Sequence, residues 1–235
     1  MRVALAPFLS LKPGLFQLSL VLTLSLALGV LSVGSAHAVS MGFDNISGNN
    51  AVDAAIGEAQ LSVDVTDAGG NQVLFTFFNT GPAAASITDV YFDDGALLGS
   101  ASLIDADEGI GGDPGVDFTE LASPGILPSA NNASPPFVSA GFSADSDPPV
   151  QLNGVNPGES LGILFDLTGM PAGTFADVIA QLTNGDLRIG LHVQGFASGG
   201  SESFVNTPIP EPHAAVLFAV GALVVGTATR RRLQG

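Results

Sequence analysis

The sequence predicts an all-β fold, an antiparallel β-sandwich of jelly-roll-like type that carries one short helix. Short segments in which apolar and polar residues alternate recur through the middle of the 235-residue chain, as expected of half-buried strands. Clusters of Gly, Pro, Asn and Asp separate these segments, and this composition is typical of turns. Because only one segment has the apolar spacing of a helix, the crossover helices of a parallel α/β sheet are missing.

The first strands are the most regular part of this pattern. Residues 59–65 alternate, with Leu61, Val63 and Val65 on one face. A turn is predicted at Thr66-Asp67-Ala68-Gly69-Gly70-Asn71, and residues 73–79 alternate in the same way after it. The pair predicts a β-hairpin. Two further strands are predicted at residues 87–92 and 100–104. Residues 105–136 are rich in Asp, Gly, Pro, Ser and Asn and predict long surface loops with one edge strand.

The second half of the domain continues the strand pattern and contains the helix. Strands are predicted at residues 137–143, 160–167, 187–196 and, closing the sheet edge, 204–206, while residues 145–157 are predicted to form a loop. The helix is predicted from Thr174, a candidate N-cap, to Leu182, with Asn184-Gly185 ending it. Phenylalanine rings are expected to supply much of the core: Phe75, Phe77, Phe92, Phe118, Phe137, Phe142, Phe165, Phe175 and Phe196.

The charge of this domain excludes several classes of function. Between residues 39 and 207 the chain has 21 Asp and Glu residues and one cation, Arg188, a formal charge of −20. Such a field repels phosphate backbones, so nucleic-acid binding is excluded, and it repels anionic polysaccharide unless divalent cations bridge the two. The chain has no cysteine, which excludes thiol catalysis, zinc–thiolate sites and disulfides. Arg188 is expected to form an ion pair with one of the acids.

The residues that could carry catalysis do not form a recognisable motif. His192 lies on the polar face of the last long strand, where an exposed or edge-strand histidine is expected, and no Gly-x-Ser-x-Gly nucleophile elbow occurs. Paired carboxylates are abundant, but a chain with this many acids has such pairs without function. We therefore expect that the protein is not an enzyme and needs no cofactor.

Calcium is the one ligand that the acidic loops suggest. Hard carboxylate oxygens suit Ca²⁺, and export would place the loops where calcium is plentiful. The run that begins at Asp105 starts like a calcium loop, but its spacing departs from that of an EF-hand. Two interpretations of this region are therefore kept: its carboxylates bind Ca²⁺, or they are solvated side chains of acidic loops. The weak candidate ligands are Asp105, Asp107, Glu108, Asp113 and Asp117.

The N-terminal segment has the order of a secretory signal peptide. Arg2 and Lys12 lie in a charged region, an apolar run covers residues 15–33, and Ala36-His37-Ala38 follows. The small residues Ala36 and Ala38 fit the cleavage pattern. We predict that residues 1–38 are the signal peptide and that signal peptidase cleaves after Ala38. The alternative is an N-terminal membrane helix that is not cleaved.

Three signals follow one another in residues 208–235. Pro210-Glu211-Pro212 is stiff and cannot join a sheet, because proline fixes φ and lacks an N–H donor. The apolar run at residues 214–228, with its flanks, reaches about 17 residues, the lower limit of a membrane-spanning helix. Arg230, Arg231 and Arg232 come next, and such a basic cluster stops translocation and stays in the cytoplasm. The sequence therefore predicts a C-terminal transmembrane helix, either processed or kept as an ordinary anchor.

The order of these C-terminal signals resembles the PEP-CTERM sorting segment of exported bacterial proteins, over residues 208–232. The body is similar to β domains of the same group at Phe77-Phe78-Asn79-Thr80-Gly81-Pro82 and Val90-Tyr91-Phe92-Asp93-Asp94-Gly95. The resemblance implies transient anchoring in the inner membrane and cleavage by an exosortase near Pro210, Glu211 and Pro212. It also implies a place in the cell envelope, at the surface or outside the cell, and association with exopolysaccharide and biofilm.

Taken together, three segments are predicted: the signal peptide at 1–38, a β-sandwich domain at 39–207 and the sorting segment at 208–235. The function expected from them is that of a non-enzymatic surface or matrix protein. The alternative is a secreted carbohydrate-binding module or hydrolase, with or without stabilising calcium. An assembled catalytic cluster around His192, or two carboxylates that line a deep pocket, would favour the hydrolase.

Overall fold

The computed structural model describes residues 38–94, 96–105, 115–139, 141–168 and 173–207. These residues belong to one compact unit that begins at Ala38. The predicted signal peptide up to residue 37 and the predicted sorting segment at 208–235 lie outside the described residues. Within the described part, no helix is both long and apolar enough to cross a membrane.

The described chain contains eleven strands, three α-helices and one turn of 3₁₀ helix at Ala130–Asn132. The strands are β1 (Ala38–Met41), β2 (Phe43–Asn45), β3 (Leu61–Gly69), β4 (Gln72–Asn79), β5 (Ser86–Asp93), β6 (Leu98–Ile104), β7 (Phe118–Glu120), β8 (Ser143–Ser146), β9 (Ser160–Leu167), β10 (Arg188–Gln194) and β11 (Glu202–Asn206). The helices are α1 (Ala51–Gln60), α2 (Val150–Asn153) and α3 (Phe175–Asn184).

The strands form two antiparallel sheets, which confirms the prediction of a mostly β fold. The first sheet has five strands in the order β1-β3-β4-β9-β6, and the second has six in the order β2-β11-β10-β5-β8-β7. Within each sheet, neighbouring strands pair antiparallel. Alternation of apolar residues identifies most of these strands because the side chains that point into the core between the sheets are apolar.

The core lies between the inner faces of the two sheets and is built around phenylalanine rings. Phe92 of the second sheet meets Phe75 and Phe165 of the first, with ring centroids 5.1 and 4.9 Å apart and edge-to-face geometry. All three side chains are fully buried. Of the predicted core phenylalanines, Phe142 and Phe175 are only partly buried. The remainder are buried: Phe75, Phe77, Phe92, Phe118, Phe137, Phe165 and Phe196.

The predicted hairpin is confirmed as β3 and β4, which pair directly. The predicted start of its turn is wrong, because β3 continues to Gly69 and residues 66–68 are part of the strand. Three consecutive residues with positive φ make the turn between them: Gly69 at 75°, Gly70 at 58° and Asn71 at 67°. Glycine and asparagine are the residues that enter this left-handed region at least cost. The predicted strand at 160–167 is confirmed with the same bounds, as β9.

Helix α3 begins and ends where its sequence signals predicted. The Thr174 side chain accepts a hydrogen bond from the Asp177 amide, and the Asp177 carboxylate accepts from the Thr174 amide at 2.8 Å. Aspartate therefore completes a reciprocal cap in place of the usual Glu or Gln. Gly185, at φ 83°, ends the helix.

The prediction of one helix is wrong, because α1 precedes β3 and includes residues 59 and 60 of the predicted hairpin. Its sequence is alanine-rich and lacks a strong apolar stripe, so periodicity does not reveal it. The Asn50 side chain caps it by accepting from the Val52 amide at 2.9 Å. Gly57 packs against the Phe204 ring so closely that a Cβ there would lie 2.1 Å from Phe204 Cζ. The helix thus depends on packing against β11.

Two further predictions in the second half are corrected. Residues 137–139, 141 and 142 form no strand; the strand is β8, and α2 follows it inside the region predicted as loop. Phe137 and Phe142 resemble the apolar residues of a strand because both pack in apolar surroundings: Phe137 is buried in a separate cluster, and Phe142 packs against the main core. In addition, β11 does not close the sheet edge: it lies between β10 and β2.

Candidate functional site

A strap formed by residues 121–139 covers the outer face of the second sheet. It carries buried side chains that pack on Tyr91 of β5 and Val205 of β11, namely Ala122, Leu127, Ala130 and Phe137. Gly190 allows this approach, because a Cβ at that position would lie 2.7 Å from Leu127 Cδ2 and 3.0 Å from Phe137 Cζ. The region predicted as surface loop therefore forms a second, smaller apolar cluster.

Beside this apolar cluster lies a polar one, centred on a histidine and a buried aspartate. His192 of β10 and Asp89 of β5 are cross-strand partners, and His192 Nδ1 lies 2.9 Å from Asp89 Oδ2. The Asp89 side chain is 2% exposed and the His192 side chain 13%. Thr88 Oγ1 donates to the same carboxylate oxygen at 2.9 Å. The expectation of an exposed or edge-strand histidine is wrong, because β10 is an inner strand.

Two more titratable groups adjoin the pair, and their pKa values move upward. Asp145 of β8 is the cross-strand partner of Asp89; its pKa is raised by burial and then by the charge of Asp89. Burial, followed by the charge of Asp89, also raises the pKa of Tyr91. Both residues bond to the strap: Tyr91 Oη donates to the Pro124 carbonyl at 2.7 Å, and the Ser123 amide donates to Asp145 Oδ2 at 3.3 Å.

The cluster holds the His192 ring in a fixed orientation, as a catalytic base requires. A carboxylate that holds Nδ1 is how hydrolytic triads orient their base. Among the described residues, however, the hydrogen bonds give the His192 ring one side-chain partner, Asp89. The strap packs over the face that carries the cluster. The arrangement therefore has an oriented base and a neighbouring acid, but within the described chain no hydroxyl nucleophile is bonded to that base.

Arg188 ties the strap to the second sheet. Its guanidinium pairs with Asp93 of β5, which confirms the predicted ion pair. It also donates to the carbonyls of Pro135 at 2.6 Å and Pro136 at 2.7 Å. The guanidinium carbon lies 5.3 Å from the centroid of the Phe137 ring, within the distance of a cation–π contact. All of these partners of the Arg188 guanidinium belong to the domain itself, so Arg188 has a structural role between the strap and the second sheet.

Glu202 forms a second buried polar site, which the sequence did not reveal. The residue is 1% exposed, and its carboxylate accepts hydrogen bonds from four donors. These are the Ser47 hydroxyl, the Asn45 side chain at 3.0 Å, and the amides of Asn49 at 3.2 Å and Asn50. Burial alone would raise the pKa of Glu202, but these bonds outweigh it and lower the pKa. The carboxylate fixes the segment that leads into α1.

The predicted calcium ligands are only partly described. Asp105 is buried, and its carboxylate accepts from the Phe118 amide at 2.8 Å, so it connects β6 to β7. Asp117 is half-buried beside that strand. Asp107, Glu108 and Asp113 lie outside the described residues. In the described part of the chain, no group of three or more His, Asp or Glu side chains could hold a metal ion, and calcium binding at residues 105–117 stays a prediction.

Of the predicted processing residues, Ala38 is described: it is the exposed first residue of β1 and pairs with Thr66. The others lie outside the described residues, namely Ala36, Pro210, Glu211, Pro212, Arg230, Arg231 and Arg232. At the other end of the domain, the Thr207 amide donates to the Gly42 carbonyl at 3.0 Å. The C-terminal end of the described chain is therefore bonded to the residue between β1 and β2.

A groove opens beside the strap, at the carbonyl end of α3. Its volume is about 480 Å³, within the range of small-molecule sites. Residues 182–186 form one wall, residues 133–135 of the strap form another, and the ends of β2 and β11 complete it. Its principal side chains are Asp44, Ile46, Leu182, Asp186, Arg188 and Val205.

Comparison with known proteins identifies no relative: no protein-family model, no curated protein and no solved structure matches this chain.

Proposed function

We propose that this protein is an exported, non-enzymatic surface or matrix protein that an exosortase sorts and that associates with exopolysaccharide. The observation that carries the proposal is the order of signals in residues 208–232: Pro210-Glu211-Pro212, an apolar run and three arginines. The Ala36-His37-Ala38 cleavage pattern supports it from the other end of the chain. The resemblance to PEP-CTERM sorting segments implies that an exosortase processes the chain and that the mature protein associates with exopolysaccharide.

The limits of the folded domain support the same division of the chain. Cleavage after Ala38 would remove one exposed residue from β1 and leave the pairs Val39↔Val65, Ser40↔Asp64 and Met41↔Val63 intact. At the C-terminal end, β11 stops at Asn206, two residues before Pro208. Removal of both terminal segments would therefore leave every sheet pairing of the domain in place except that of Ala38.

The finer description of the domain as a jelly-roll-like sandwich is part of this proposal. From β4 onward the chain passes repeatedly between the sheets: β4, β6 and β9 belong to the first sheet, and β5, β8 and β10 belong to the second. Strands that switch sheets in this way are typical of Greek-key and jelly-roll connections. The contact between the Phe75 ring of the first sheet and the Phe92 ring of the second supports face-to-face packing of the two sheets.

Processing of the full-length precursor tests the proposal. Co-expression with an exosortase should yield an exported species that begins at Val39 and lacks Arg230, Arg231 and Arg232, as read by N-terminal sequencing and intact mass. Glu211→Ala should block removal of the arginines because it destroys the motif, whereas Glu120→Ala, at an exposed position of β7, should not. If the exported species retains the arginines although Glu211 is intact, the sorting proposal is wrong and residues 208–235 are an ordinary membrane anchor.

The alternative of a hydrolase is favoured by one observation, the His192–Asp89 pair beside Asp145. We expect that the purified protein turns over neither ester nor glycoside substrates, because the strap packs on the sheet face that carries this cluster. In addition, no hydroxyl of the described residues is bonded to the His192 ring. Turnover that His192→Ala or Asp145→Asn abolishes, in a variant whose thermal melt stays cooperative, would replace the non-enzymatic proposal with the hydrolase.

A further inference from the structure

The groove beside the strap combines apolar surface with carboxylates. Leu182 and Val205 are buried side chains at its floor, and Ile46 is half-buried there. Asp44 and Asp186 are exposed residues that line the same groove. Mixed walls of this kind suit a ligand that has both C–H faces and polar groups, as a sugar ring has.

The charge that this groove offers to a ligand is negative. The one cation in its wall, Arg188, already pairs with Asp93 and donates to two proline carbonyls. Residues 182–184 form the C-terminal turn of α3, where the helix dipole favours cations. Asn184 positions one carboxylate, because its side-chain amide donates to Asp186 Oδ2 at 2.7 Å and its carbonyl oxygen accepts from the Asp186 amide at 2.9 Å.

The net charge of the described residues reinforces this preference. The described residues include 18 Asp and Glu residues, and Arg188 is their one Lys or Arg. A uronate polymer would meet repulsion along its whole length, whereas a polymer with ammonium groups would be attracted. Of the polysaccharides that an exported matrix protein could meet, the groove therefore fits one with free amino groups.

We infer that the groove binds an amino-sugar unit of a partly de-N-acetylated polysaccharide. This inference rests on the proposed association with exopolysaccharide and names its chemical class. The ammonium group lies against the carboxylates of Asp44 and Asp186, and the C–H face of the ring lies on the half-buried Ile46. Asn184 is a positioning residue that holds the Asp186 carboxylate toward the ligand.

Calorimetric titration of the full-length protein in detergent with a glucosamine tetramer, at physiological salt, tests this inference. The tetramer should bind with a Kd in the micromolar to low millimolar range. The N-acetylated tetramer, which lacks the ammonium groups, and oligogalacturonate, which is anionic, should bind at least about tenfold more weakly, a difference of roughly 1.4 kcal/mol.

Matched variants separate the groove from general charge attraction. The double variant Asp44→Asn/Asp186→Asn should weaken tetramer binding at least about tenfold. Asp166→Asn together with Glu120→Gln removes the same number of charges outside the groove and should leave binding nearly unchanged. Absence of binding, equal binding of the N-acetylated tetramer, or equal loss in both double variants would overturn the inference. Since cleavage at Pro210-Glu211-Pro212 is read by mass, loss of the groove leaves the sorting proposal intact.

Discussion

Replacement of Phe92 by alanine is expected to lower the free energy of unfolding by about 4 kcal/mol, the usual cost of a buried Phe→Ala change. Phe92 is fully buried, and its ring meets four others: Phe75 at 5.1 Å, Phe165 at 4.9 Å, and Phe77 and Phe142 at 6.3 Å each. The loss combines the transfer free energy of the ring, the cavity left behind and these edge-to-face contacts. Urea denaturation of the full-length protein measures it.

Phe142→Ala is the matched control for this change. Phe142 is half-buried and contacts only two of the rings, Phe92 and Phe165. Its removal is expected to cost about 2 kcal/mol, within the range of ordinary destabilising substitutions. Equal losses for Phe92→Ala and Phe142→Ala, at unchanged urea dependence, would contradict a core centred on Phe92.

The second large effect is expected at Glu202. Glu202→Gln should lower the free energy of unfolding by about 3 kcal/mol, because one oxygen acceptor becomes an NH₂ donor that faces donors of the 45–50 segment. Glu159→Gln is the matched control: the Glu159 carboxylate accepts from one described backbone amide, that of Asn156 at 2.8 Å, and a loss of about 1 kcal/mol is expected. Equal losses in the two variants would show that the network around Glu202 adds nothing.

The pH dependence of unfolding gives a second measurement of the Glu202 network. The pKa of Glu202 is lowered in the folded protein, so the unfolded chain binds the proton more tightly. The stability from this group is complete above the pKa of the unfolded carboxyl, about 4.3, and is lost as pH falls through the folded pKa. The difference in unfolding free energy between the wild type and Glu202→Gln should therefore shrink in acid. A difference that stays constant from neutral pH downward would contradict the assignment.

Local sequence patterns were sufficient for strands that have one face in the core. The hairpin of β3 and β4, the strand β9 and the inward row of β10 follow from alternation, because successive side chains of a strand point to opposite faces of its sheet. Helix α3 follows from its caps and apolar spacing. These elements could be predicted because each carries its own signal within about ten residues of chain.

The remaining features depend on partners that are distant in the sequence. Helix α1 is stabilised by the contact of Gly57 with Phe204, which no local pattern contains. His192 meets Asp89 across 103 positions, and Glu202 meets Ser47 across 155. Their side chains come together through strand register, which a single sequence does not give. The sequence predicts a strand at Phe137 because burial in the second cluster and burial in the main core give the same local pattern of apolar residues.

The position of β11 has a mechanical consequence for a domain held by its C-terminal end. Tension applied at Thr207 would run along β11, which is hydrogen-bonded to β10 on one side and β2 on the other. Antiparallel ladder bonds lie perpendicular to the strands, so this load would shear two ladders together and divide the force among their bonds. Tension at Val39 would act instead on β1, an edge strand with one ladder. The domain is thus built to bear more force at its C-terminal end than at its N-terminal end.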